Sequence, residues 1–66
     1  MKLQLNGESR EFPGPLTVTA LLAATGFGER RVAVEVNQAI VPRGRPAETL
    51  LADGDRVEII QAIGGG

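Results

Sequence analysis

The stretch "RVEIIQAI", residues 56–63, decides the fold of this 66-residue chain. If it is extended, valine and isoleucine side chains fall on both of its sides, which is typical of a strand at the centre of a sheet. Such a strand needs a neighbour on each edge. The rest of the sequence must supply those neighbours and a layer that covers at least one face.

The chain begins with a β-hairpin. Leu3 and Leu5 alternate with polar residues, which is the period of a half-buried strand. The dipeptide Asn6–Gly7 follows and favours a tight hairpin turn, because both residue types tolerate positive φ. A second strand is predicted over about Ser9–Phe12, with its last residue facing the core.

A short helix follows the hairpin. Thr17 is placed to cap its first N–H groups, and Gly26 is placed to end it. The β-branched residues at its start weaken helix propensity, so the helix is expected to depend on packing against the sheet. Its apolar stripe has the spacing i, i+3, i+4 and i+7 and consists of Val18, Leu21, Leu22 and Thr25.

The period returns to two over residues 32–36, which predicts a third strand with its valines facing the core. A turn and a two- or three-residue strand at Ile40 and Val41 come next. We expect a brief helical turn near Glu48–Leu51 and a tight turn at Asp53–Asp55 before the long final strand.

This order of elements predicts an α+β fold with a mixed sheet of four to five strands and one main helix on one face. The final strand is expected beside the first and parallel to it. That arrangement is a β-grasp, the ubiquitin-like fold. We predict a β-grasp domain over residues 1–63 and a flexible glycine tail over residues 64–66.

Composition leaves little chemistry for the domain itself. The chain has no histidine, cysteine, tyrosine or tryptophan, and Lys2 is its one lysine. Disulfides, thiolate nucleophiles and the commonest transition-metal ligands are therefore excluded, and we expect no catalytic residue, no metal and no bound cofactor. A net charge of -1 with scattered arginines disfavours nucleic acid. No apolar run is long enough for a membrane span, and a cytoplasmic protein is expected.

Two charged loops are weak candidate sites. Asp53 and Asp55 flank a glycine and could bind a cation, but a tight turn that needs glycine at positive φ is the better explanation of this Asp-Gly-Asp sequence. The loop Arg43–Pro46, together with Arg30 and Arg31, could contact an anion or a partner, although a solvated turn is the favoured interpretation.

The face of the last strand that points away from the helix is a better candidate. It should carry Ile60, Ala62 and Glu58, which we define as the docking patch, a small apolar surface with a charged rim. A solvent-facing isoleucine without consequence explains the pattern equally well. We expect the patch to lie beside Ala33 and Glu35 of one neighbouring strand and Lys2 and Gln4 of the other.

The C-terminal tail is the remaining candidate. Gly64 and Gly65 have no side chains, so they could thread through a channel too narrow for other residues, and Gly66 would present an ionised carboxylate at the tip. Ordering them costs about 1 to 2 kcal/mol per residue, which a partner would have to offset. A frayed end is the alternative, and three glycines alone do not decide between the two.

The sequence resembles the ThiS family, the ubiquitin-like sulfur carriers of thiamine thiazole biosynthesis, over essentially its whole length. The resemblance is carried by "LNGE" at Leu5–Glu8, "VAVEVNQAIVPR" at Val32–Arg43, "LADGDRVEII" at Leu51–Ile60 and the closing "AIGGG". The family's minimum is two terminal glycines, whereas this chain has three, which leaves open whether Gly64 is threaded or acts as a spacer.

The resemblance implies a carrier and cosubstrate rather than an enzyme. A ThiF-like adenylating enzyme would use ATP to activate the carboxylate of Gly66. A cysteine desulfurase or another persulfide donor would then supply sulfur to form a thiocarboxylate, and a ThiG-like thiazole synthase would accept that sulfur. The alternatives are a carrier like the small subunit of molybdopterin synthase, a tRNA-thiolation carrier and a ubiquitin-like modifier.

Overall fold

The computed structural model describes residues 1–28, 31–42 and 49–61. Within them the chain forms a five-stranded sheet and one helix. The strands are β1 (Lys2–Leu5), β2 (Glu8–Glu11), β3 (Val32–Val36), β4 (Ala39–Ile40) and β5 (Arg56–Gln61), and α1 (Val18–Ala24) lies between β2 and β3.

The sheet has the order β2-β1-β5-β3-β4, so the last strand is the central one. It runs parallel to β1, where Leu5 is the partner of Val57, and antiparallel to β3, where Val34 is the partner of Ile59. The predicted mixed sheet, its central final strand and its single helix are confirmed. Of the stretch 56–63, residues 56–61 form the strand and the last two lie outside the described residues.

The first hairpin also forms as predicted, one residue earlier in its second strand. Asn6 and Gly7 both adopt positive φ, 49° and 85°, which is the backbone of a tight turn that suits twisted strands. Phe12 is half-buried and packs against the core just after β2 ends.

Helix α1 has seven residues, too few for stability in isolation. The hydroxyl of Thr17 accepts a hydrogen bond from the amide of Ala20 at 3.1 Å, and Gly26 follows the helix with φ of 88°. Both predicted ends are therefore confirmed. Val18 and Leu21 are fully buried, so packing of this stripe on the sheet stabilises the helix.

The expected helical turn near Glu48–Leu51 is wrong for residues 49–51, and Glu48 lies outside the described residues. Leu50 instead forms an isolated antiparallel bridge with Thr17. The amide of Leu51 donates to the carbonyl of Leu16 at 2.9 Å, and the amide of Val18 donates to the carbonyl of Thr49 at 3.0 Å. These bonds hold Leu51 in the core and leave Leu50 exposed.

The core lies between α1 and one face of the sheet. Ten apolar residues are buried there, and among the described residues no polar or charged side chain is. No helix in the described part of the chain is long and apolar enough to cross a membrane. The buried set is Leu3, Leu5, Leu16, Val18, Leu21, Leu22, Val34, Leu51, Val57 and Ile59.

Two adjacent isoleucines of β5 test this assignment of faces. Replacing the buried Ile59 by alanine is expected to lower the free energy of unfolding by about 2 to 5 kcal/mol, because it leaves a cavity in the core. The matched change Ile60→Ala removes the same atoms from an exposed position and should cost less than about 1 kcal/mol. Urea denaturation measures both values, and equal losses would show that the sheet faces are assigned wrongly.

Candidate functional site

The two faces of β5 differ as the sequence predicts. Val57 and Ile59 point into the core, whereas Glu58 and Ile60 point to the face that the helix leaves uncovered. Ile60 is 52% exposed, an unusual position for a large apolar side chain on a central strand. It is the centre of the candidate site.

One flank of the docking patch is where the sequence places it, and the other is not. Ala33 is the partner of Ile60 and Glu35 the partner of Glu58, as expected. The expectation that Lys2 and Gln4 lie beside the patch is wrong. Gln4 is the partner of Arg56, and the main chain of Lys2 bonds to the turn at residues 53–54, so both lie at the start of β5. Side-chain alternation predicts the face of each strand but not the register between strands.

The apolar surface is wider than the sequence predicts, because the second hairpin adds to it. Ile40 is 71% exposed and is the partner of Glu35, which places it on the same face as Ile60. Together these elements form a groove of about 440 Å³. The groove is lined by Arg31, Val32, Ala33, Ile40, Val41, Pro42 and Ile60.

A pattern in the sequence could have predicted that β4 contributes to the groove. The turn at Asn37–Gln38 has positive φ at both residues, 52° and 72°, the backbone of a two-residue hairpin connection. Folding the chain back about this turn pairs Ile40 with Glu35. The expected short strand at Ile40 and Val41 is observed at Ala39–Ile40. Its position beside the docking patch was not predicted from the sequence.

Charges of both signs lie around the groove, since Arg31 lines it and two glutamates lie next to its lining residues Ala33 and Ile60. Glu35 and Glu58 are direct cross-strand partners on the uncovered face. Like charges placed directly opposite each other destabilise a sheet. A basic group of a bound partner would relieve that repulsion, so the part of the surface at Glu35 and Glu58 favours positive charge beside the apolar groove.

The acidic turn between Ala52 and β5 is structural. Gly54 has φ of 89°, and Asp53 accepts a hydrogen bond from the amide of Lys2 at 2.6 Å. Asp55 accepts from the amide of Ala52 at 2.8 Å and from the side-chain amide of Asn37 at 2.9 Å. The predicted tight turn at Asp53–Asp55 is confirmed, and both of its carboxylates accept hydrogen bonds from the main chain.

The remaining predicted site residues belong to the C-terminal segment and to one loop. Ala62, Gly64, Gly65 and Gly66 lie outside the described residues, as does the loop Arg43–Pro46. The last described residue, Gln61, is the partner of Val32 and follows Ile60 directly. The tail therefore begins within a few residues of the groove.

A scan of family models matches residues 3–66 to the ThiS family. The sulfur carrier protein ThiS of Escherichia coli strain K12 is 32% identical over 66 residues, and the match covers all of both chains. A thiazole synthase of Paramagnetospirillum magneticum is 50% identical over all 66 residues of this chain. The chain spans about a fifth of the length of that synthase and of a second one from Magnetococcus marinus.

Solved structures agree with the sequence matches. The crystal structure of the thiamine biosynthesis protein ThiS from Geobacter metallireducens superimposes with a TM-score of 0.85. The two chains are 36% identical, and the match covers all of both. This similarity supports the β-grasp architecture that the described residues adopt.

Proposed function

This chain belongs to the ThiS family, and from that premise we propose that it is a sulfur carrier for thiazole formation in thiamine biosynthesis. The observation that carries the proposal is the end-to-end match to a protein named sulfur carrier protein ThiS, which includes the terminal glycines. The surface of the described domain fits this function, since it offers an apolar groove at which a partner can bind.

The proposed chemistry takes place at the carboxylate of Gly66. A carboxylate is a poor electrophile, so a partner first transfers AMP from ATP to one of its oxygens and releases pyrophosphate. The sulfur of a persulfide attacks the acyl carbon, and AMP leaves with the oxygen it carries. Reductive cleavage of the resulting acyl disulfide by a second thiol leaves the thiocarboxylate and a disulfide on the donor.

The chain is a carrier and cosubstrate in this scheme, with catalysis supplied by its partners. ATP is bound by the adenylating enzyme, and sulfur reaches the tail from a cysteine desulfurase or another persulfide donor. Gly64 and Gly65 would enter the partner, where the lack of side chains lets the backbone approach closely. An ATP-dependent reaction of this kind fits the expected cytoplasmic location.

A thiazole synthase is the proposed sulfur acceptor. A segment of the Paramagnetospirillum magneticum thiazole synthase matches all of this chain at 50% identity, and the remaining four-fifths of that protein lie outside the match. Carrying both parts in one polypeptide raises their effective concentration for each other. This favours the thiazole reaction over the molybdopterin, tRNA-thiolation and protein-modifier alternatives.

The groove is the proposed docking surface for the partners. It lies on the central strand whose extension leads to the tail, so a partner that binds Ile60 and Ile40 can reach the glycines at the same time. The paired Glu35 and Glu58 favour a partner surface with arginine or lysine beside its apolar contacts.

The first prediction concerns the modification itself. The chain is incubated with ATP, a persulfide donor and the adenylating enzyme, and its intact mass is measured. We expect a gain equal to the replacement of one oxygen by sulfur, located at Gly66 by fragmentation. No mass gain, in a mixture that thiocarboxylates a known carrier, contradicts the proposal. A covalent conjugate with a lysine of another protein would support the modifier alternative instead.

The second prediction concerns the tail. Deleting Gly65 and Gly66 should abolish thiocarboxylate formation, because the acyl group can no longer reach the adenylation site. The buried apolar residues in the described part of the chain all lie between residues 3 and 59, so the melting temperature should shift by less than about 2 °C. Calorimetry and mass spectrometry give the two readouts, and a large fall in melting temperature would mean that the tail packs on the domain.

The third prediction concerns the groove. Ile60→Glu should weaken binding of the adenylating enzyme by about tenfold or more, because a charge must be desolvated at an apolar contact. Ala20→Glu adds the same charge at an exposed position of α1, on the other side of the sheet, and is the matched control. Calorimetric titration measures both affinities. If the two variants bind equally well, the groove is not the docking surface.

A further inference from the structure

Both hairpins attach to β5 through the same device. Each begins its turn with an asparagine at positive φ, Asn6 at 49° and Asn37 at 52°. The amide of Asn6 donates to the carbonyl of Val57 at 2.9 Å, and the amide of Asn37 donates to the carbonyl of Arg56 at 2.7 Å. Each asparagine thus continues the main-chain ladder with its N–H group.

In return, each asparagine accepts a hydrogen bond from an amide of β5 with its side-chain oxygen and not with its main-chain carbonyl. Ile59 donates its amide to the Oδ1 atom of Asn6 at 2.8 Å, and Arg56 donates its amide to the Oδ1 atom of Asn37 at 2.9 Å. In a regular ladder the main-chain carbonyl of the same residue would accept this bond. The side-chain oxygen replaces that carbonyl, so the backbone can turn away at positive φ while the amide of β5 stays paired.

The two sites lie at different ends of β5. Asn37 holds Arg56, where the strand begins, whereas Asn6 holds Ile59, two residues before the last described residue. Main-chain pairing of β5 with β1 ends at Leu5 and Val57. The Asn6 side chain therefore extends the attachment on the β1 side by two residues toward the tail. On the other edge Gln61 remains paired with Val32.

We propose that Asn6 is a positioning residue for the C-terminal tail. Its Oδ1 atom fixes the β1-side edge of β5 at Ile59 and so sets the direction in which the chain leaves the sheet after Gln61. Without this bond the end of β5 is held on the β3 edge alone, and it can twist about that edge. The consequence for sulfur transfer rests on the function proposed above, whereas the effect on the strand does not.

The direct test is made on the free protein. Asn6→Gly keeps a residue that tolerates positive φ and removes the acceptor, and Asn37→Gly does the same at the other end of β5. Amide hydrogen exchange is compared with that of Leu21, which donates within the buried helix. Asn6→Gly should speed exchange at Ile59 by about tenfold and leave Arg56 unchanged, and Asn37→Gly should do the reverse. Unchanged exchange at Ile59 overturns the proposal.

The functional test compares the same variants in thiocarboxylate formation. We expect Asn6→Gly to lower kcat by about tenfold with KM nearly unchanged, because the groove still binds and the tip is misaligned. Asn37→Gly also removes the hydrogen bond from Asn37 to Asp55, so it should lower the free energy of unfolding at least as much as Asn6→Gly does. Its kcat should nevertheless be near that of the native chain. Asn6→Asp keeps an acceptor oxygen and should restore kcat.

Equal losses of kcat in the two glycine variants would reduce Asn6 to a stabilising residue and overturn the positioning role. If the native chain forms no thiocarboxylate at all, the proposed function fails. The positioning of the strand is then decided by the exchange data together with the residual dipolar coupling of the Gln61 amide. That coupling should change in Asn6→Gly and stay constant in Asn37→Gly, and the opposite pattern contradicts the proposal.

Discussion

The two-sided pairing of β5 is the constraint on which the rest of the structure depends. A strand with a parallel neighbour on one edge and an antiparallel neighbour on the other joins the two hairpins into one sheet. It contributes Val57 and Ile59 to the core, and these residues pack in the same cluster as the helix. Because β5 is the central strand, Gln61 at its end lies in the middle of the sheet rather than at an edge.

The two faces of the sheet differ in role, because one packs against the helix in the core and the other exposes the candidate binding surface. The covered face contributes five of the ten buried apolar residues, and α1 with the segments at Leu16 and Leu51 contributes the other five. Among the described residues no charged side chain is buried, so apolar packing holds the helix and the sheet together. The uncovered face has the exposed isoleucines 40 and 60 beside the opposed Glu35 and Glu58. These exposed side chains contribute little to folding, and the two opposed glutamates destabilise the sheet. Their presence is explained if a partner protein covers this surface. In the function proposed above, the uncovered face would be the surface that partner proteins recognise.

Local patterns in the sequence predict most of the fold, because its elements follow simple periods. The alternation at Leu3 and Leu5, the helix of residues 18–24 and the apolar final strand form as expected, and Thr25, the last residue of the predicted stripe, is the C-cap of the helix. The failures involve contacts between distant segments. The residue types at positions 49–51 are compatible with a helical turn, but their main chain forms hydrogen bonds with residues 16–18 instead. Likewise the register of β1 against β5 displaces Lys2 and Gln4 from the patch, and periodicity contains no information on register.

The candidate site was predicted in part for the same reason. Ile60 and Glu58 follow from alternation along one strand, whereas Ile40 joins them only through the pairing of β4 with β3. The role of Asn6 was hidden because a hairpin signal already explained that residue. Its second role depends on a side-chain bond to Ile59, 53 residues further along the chain. Such a bond is specified by the assembled sheet and not by the local turn.

The central claim is that sulfur passes through this chain on its way to a thiazole, and radiolabelled sulfur tests it most directly. Labelled cysteine, a desulfurase, the adenylating enzyme, ATP and a thiazole synthase with its other substrates are combined with the full chain. The account predicts that label appears first on Gly66 and then in the thiazole, with the carrier-bound label falling as the product rises. Label that reaches the thiazole equally fast without this chain, or that stays on the chain while product forms, would contradict it.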